Sequence, residues 1–194
     1  MHDAAFSEAV LPRPRRILKL PLRPYSIGHE ILLLRHGNPL LLPFEQFTAL
    51  HRSAQIDAVT LAALVCSKSW KENQGRDWTV RIWQRLIRNE DFALAIADFR
   101  TYRAEGTTCP PFPEIDTSDK PGRPMGAPIL SGLITFVSSH GIWDGPTMDC
   151  PFGFALWCYY AEAESSGSCK ISNSTEMLLD KTVRDVLREV KQNG

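Results

Sequence analysis

Glycine-rich phosphate loops are missing from this sequence: neither GxxxxGK[ST] nor GxGxxG occurs. The backbone cradle that nucleotide phosphates need therefore has no place to form. No CxxC pair occurs among the five cysteines (Cys66, Cys109, Cys150, Cys158 and Cys169). An odd number at irregular spacing reads as reduced, mostly buried thiols, which points to a cytoplasmic chain. No Glu-x-x-His is present, so the di-iron helix pattern is excluded. No apolar run approaches the ~20 residues that cross a bilayer, so no membrane association is expected. The opening "MHDAAFSEAV", with Asp3 and Glu8, does not read as a secretory signal. Charge of one sign is lacking too. Lysine plus arginine number 22 and aspartate plus glutamate 22, which argues against nucleic-acid binding.

What is there is helical periodicity. Ser26 and Gly37 bracket a leucine-rich helix, "SIGHEILLLRHG". Pro43 starts a second helix that places Phe44, Phe47 and Thr48 along one side. "IDAVTLAALVCSKSW", residues 56–70, is small and apolar nearly all round, as a central helix should be. "WTVRIWQRLIRN" follows a polar loop. Phe92, Ala95, Ile96, Phe99 and Tyr102 then form one stripe, with Glu90 and Asp91 in the first turn and Gly106 at the end. Further on, Ile129, Leu130, Leu133, Ile134 and Val137 define a face, and Pro151 opens a helix running to Glu162 and Glu164. The last segment starts at a capping-box pair, Asn173 and Glu176.

Together these predict an all-α fold, an irregular bundle of about eight helices with no convincing strand pair. Only "RRILKLPL" reads as a short extended piece. The expected organisation is a single domain: a solvated N-terminal arm over 1–16, a helical half over 17–106, a Pro/Gly-rich loop over 107–126 and a second helical half over 127–194. The basic residues Arg13, Arg15, Arg16, Lys19 and Arg23 fall on or beside that arm.

The stretch "HEILLLRHG" raises the question of a metal. In a zinc protease the two histidines stand at i and i+4, within reach of one ion. Here His29 and His36 stand at i and i+7, roughly 10.5 Å apart along a helix axis, and Leu33 occupies the second ligand's position. The geometry rules out a shared ion and leaves a packed helix. Cys150, at a helix start, is the best thiolate candidate, with His140 the nearest base and Cys158 and Cys169 further thiols; buried small hydrophobes are the simpler reading. Glu162 and Glu164 point to different sides. No catalytic, cofactor or metal residue is assigned, and no enzyme activity is expected. Most of the tryptophans and tyrosines (Trp70, Trp78, Trp83, Trp157, Tyr159, Tyr160) belong in a core. Trp143, in the glycine-flanked turn "GIWDGP", is the one candidate for binding a protein partner.

Two segments resemble the small helical proteins of phage and prophage tail-morphogenesis modules. One is "LKLPLRPYSIGHEILLLRHGNPLL", residues 18–41, and the other "GAPILSGLITFVSSHGIWDGPTMDCPFGFALWCYYAEAESSG", residues 126–167. The resemblance implies a tail-assembly chaperone that keeps another phage protein, such as the long tape-measure chain, soluble until the tail tube forms. It brings no active-site residues. A structural tail component of the virion and a small cysteine-dependent hydrolase or transferase are the alternatives.

Overall fold

The structure, a computed structural model, describes residues 13–74, 91–109 and 129–167. Of these, 67% are helical. Two short strands, β1 (Arg15–Ile17) and β2 (Leu20–Leu22), lead into seven α-helices. These are α1 (Ile27–Arg35), α2 (Phe44–Thr48), α3 (Arg52–Cys66), α4 (Trp70–Asn73), α5 (Phe92–Gly106), α6 (Ile129–His140) and α7 (Phe152–Ser165), with 3-10 turns at Pro39–Leu41 and Thr147–Asp149. The helices read from Trp78–Asn89 and from Asn173 onward lie outside the described residues, as do residues 1–12 of the expected arm and most of the Pro/Gly-rich loop.

The fold is mostly helical but not purely so. "RRILKLPL" is an antiparallel hairpin in which Arg15 faces Leu22, Arg16 faces Pro21 and Ile17 faces Leu20. Its turn residues, Leu18 and Lys19, both sit at positive φ (51° and 65°). That is the turn whose twist matches two paired strands, but it normally takes Asn-Gly. A leucine there is strained by roughly 1–2 kcal/mol; burial of the Leu18 side chain in the core offsets the cost. The arm expected over 1–16 is corrected at its inner end by the same hairpin. Arg15 is not solvated but forms a two-pronged ion pair with Glu105 on α5, with Nε donating to Oε2 at 3.2 Å.

α3 lies at the centre. Its alanines 58, 62 and 63, together with Val59, Val65 and Cys66, are buried, and their small volume lets the neighbouring elements approach closely. The helix stops at Cys66, not at Trp70; Ser69 then caps the separate α4 with a capping box closed by Glu72. The stripe expected on α5 packs inward, with Ala95, Phe99 and Tyr102 buried and Phe92 and Ile96 half-buried. Asp91 is that helix's N-cap, accepting from the Ala93 and Leu94 N–H groups. On α6 the buried face is Leu133, Phe136 and Val137, while Ile129 is 50% exposed. The expected face is therefore rotated, because Phe136 must reach Tyr159 of α7. On α2 only Phe47 is buried, and Phe44 and Thr48 face out.

Both halves share one core, which contains Leu33, Ala62 and Phe99 as well as Leu133, Phe136 and Ala155. A short antiparallel bridge also joins them: Ile27 donates to the Cys150 carbonyl at 3.1 Å, and Phe152 donates to that of Tyr25 at 2.8 Å. The Trp70 N–H adds a bond to the Asp149 carboxylate at 2.6 Å. Among the described residues no helix is long and apolar enough to cross a membrane.

Candidate functional site

The chemistry-bearing side chains gather at the start of α1. His29, its third residue, is buried, and each ring nitrogen has one partner. Nδ1 accepts from the Ser26 N–H at 3.2 Å, while Nε2 lies 2.8 Å from the Lys68 carbonyl. A carbonyl only accepts, so the proton is on Nε2 and the ring is neutral. Ser26 Oγ accepts from the His29 N–H in return, so histidine plays the part that glutamate has in a capping box. Burial pushes the His29 pKa down, against the Lys68 hydrogen bond and the Asp149 charge, which favour the protonated form. His36 is exposed at the opposite end of the helix, as its C-cap, just before Gly37 at φ +57°.

Next to His29 stands Glu30, buried in an otherwise leucine-rich helix. Its carboxylate takes a two-pronged pair of bonds from Arg103 on α5, Nε to Oε2 at 3.1 Å and Nη2 to Oε1 at 2.7 Å. The Tyr25 hydroxyl donates to the same Oε2. Hydrogen bonding to Glu30 is what raises the Arg103 pKa. Tyr25 meets Tyr102 edge-on with ring centroids 5.5 Å apart, and the Tyr102 hydroxyl donates to the Arg23 carbonyl at 2.7 Å. Burial raises the Tyr25 and Tyr102 hydroxyls and the adjacent Cys66 thiol alike, so none of them ionises near neutrality. The close approach of α5 depends on Gly106, where a Cβ would overlap the Tyr25 side chain. The arrangement braces α1 against α5 and leaves its buried carboxylate fully engaged. One cue to it was legible: a carboxylate on the apolar face of "HEILLL" requires a buried cation, although nothing local names Arg103.

The remaining candidates are dispersed. Cys150 is buried, with its thiol directed at the Pro151 carbonyl (3.7 Å), and its pKa is pushed up to about 12 by burial and then by Cys158. A nucleophilic thiolate needs a shift in the other direction. His140 stacks on Phe136, ring centroids 4.4 Å apart, and its Nδ1–H donates to the Phe136 carbonyl at 3.0 Å. No hydrogen bond joins it to Cys150 among the described residues. Cys169 lies outside them. Among the described residues no three His, Cys, Asp or Glu side chains converge to hold a metal.

Trp143 is half-buried, tilted against Phe154 at 6.3 Å, and its Nε1 is buried with no hydrogen-bond partner among the described residues. A groove of about 370 Å³ runs along α6. The small residues Ser131, Gly132, Thr135 and Ser139 line it, with the rings of Phe136, His140 and Tyr159. No protein-family model, no curated protein and no solved structure matches this chain.

Proposed function

We propose that this chain is a non-enzymatic tail-assembly chaperone of a phage or prophage, a cytoplasmic protein-interaction factor that binds another phage protein such as the tape-measure chain. The observation that carries the reading is the α6 groove. The small residues Ser131, Gly132, Thr135 and Ser139 line it beside the rings of Phe136 and Tyr159, the form that receives the apolar face of an amphipathic helix. It lies within residues 126–167, one of the two stretches that resemble tail-morphogenesis proteins. Trp143 belongs to the same stretch and is retained as a partner-binding residue. Co-expression with the tape-measure protein tests the reading. The two are expected to co-purify, with more of the partner soluble; unchanged solubility without co-purification ends it.

The rival thiol chemistry is checked separately. A group titrating near 12 is ionised to roughly one part in ten thousand at pH 8. Iodoacetamide at that pH is therefore expected to label Cys150 only after denaturation, as read by peptide mass spectrometry. Rapid labelling of the folded chain at Cys150 would reinstate the enzyme reading.

A further inference from the structure

Arg100 on α5 is placed unlike the other arginine of that helix face. Arg103, one turn on, is consumed by Glu30, whereas no ion pair involves Arg100 among the described residues. The Arg100 guanidinium lies over two rings, 5.1 Å from the Phe44 centroid and 5.0 Å from that of Phe47. Among the described residues its hydrogen bond is a long one, Nη2 to the Leu42 carbonyl at 3.4 Å, and its buried Nε has no partner. A guanidinium held over aromatic rings can still direct its terminal N–H groups at an acceptor. Beside it, Phe44 is 58% and Leu42 40% exposed. Arginine with exposed aromatic and aliphatic neighbours is the composition of an interface hot spot.

We infer that the Leu42–Phe44–Arg100 face binds an acidic peptide segment of a partner protein, with a carboxylate on the Arg100 guanidinium and an adjacent aliphatic side chain on Phe44. The charge argument is direct. Partial burial and the neighbouring Arg103 charge both disfavour the Arg100 cation, with only Glu45 in its support. A carboxylate from outside supplies the missing counter-charge through paired, charge-assisted hydrogen bonds. A phosphate backbone is a poorer fit, because a single arginine set among apolar side chains, in a chain of zero net charge, does not make the basic stripe that nucleic acid requires. The inference rests on the chain being a protein-binding factor and names the chemistry that one of its faces takes.

The test uses the full chain and two labelled amphipathic peptides of about 20 residues, identical in their leucine face. One peptide is flanked by glutamates and the other by lysines at the same positions. Fluorescence anisotropy is expected to show the glutamate peptide binding at least about tenfold tighter. Arg100→Gln should abolish that preference, and Phe44→Ala should weaken both peptides. Leu42→Ser, at an exposed position, provides a second apolar variant, and thermal melts verify that each variant folds. Equal binding of the two peptides, no binding of the glutamate peptide, or a preference that survives Arg100→Gln overturns the inference. So does tighter binding of a single-stranded oligonucleotide, or a dimer in sedimentation that Phe44→Ala dissociates. Failure of tape-measure co-purification would leave an Arg100-dependent glutamate preference intact, and the reverse also holds, so the two readings fail separately.

Discussion

Glu30→Ala is expected to lower unfolding stability by about 3 kcal/mol, the low end of the range for breaking a buried ion pair. The variant leaves the Arg103 guanidinium without its counter-ion and the Tyr25 hydroxyl without its acceptor. The low end applies because the Arg103 side chain keeps 33% of its surface in solvent, against 10% for Glu30. Replacing both charges by leucine should recover much of the loss, since that double change removes the desolvation cost together with the attraction. Urea denaturation of the two variants reads the difference. A single variant that loses less than about 1 kcal/mol would mean that the pair behaves as an exposed one.

Stability is expected to fall as pH drops below about 6.5, with His29 as the cause. Burial lowers its folded pKa beneath the ordinary histidine value of about 6.5. Below that value the unfolded chain takes up a proton that the folded one refuses, so the contribution is complete above the unfolded pKa and is lost on acidification. This one group accounts for up to about 1 kcal/mol between pH 6.5 and 5.5. The mechanism is local: a proton on Nδ1 would face the Ser26 N–H, which now donates to that atom. His29→Gln should cost about 2 kcal/mol at pH 7.5 by leaving buried groups poorly paired, and should flatten the slope below pH 6.5. Parallel profiles for the two proteins would place the acid sensitivity elsewhere.

Local signals carried far in this sequence. Ser26 and Gly37 bound α1 because a cap and a left-handed stop are set by the residues themselves. The α5 stripe from Phe92 to Tyr102 follows from helical period alone. The hairpin was not legible because Leu18 and Lys19 are not turn residues by composition; only the burial of Leu18 and the pairing of the flanking strands put them there. The end of α3 at Cys66 was equally opaque, since "SKSW" continues the helical period and the break comes from the Ser69 cap and the Asp149 bond to Trp70. Of the candidate site, the place of His29 in the first turn of α1 was legible. Arg103 as the partner of Glu30, Glu105 as that of Arg15 and Leu42 as that of Arg100 were not, because each lies across the fold and leaves no periodic trace in the chain.

The bridge between Ser26 and Pro151 has a consequence for synthesis on the ribosome. α1 and α7 start from the same pair of backbone hydrogen bonds, yet more than half of the chain separates them. α1 is made before its partner and must therefore wait, with its apolar side incompletely covered, until residues beyond Phe152 have been translated. Non-local closure of this kind is slow. Expressed alone, a fragment ending before Cys150 would lack the strand partner on which α1 begins.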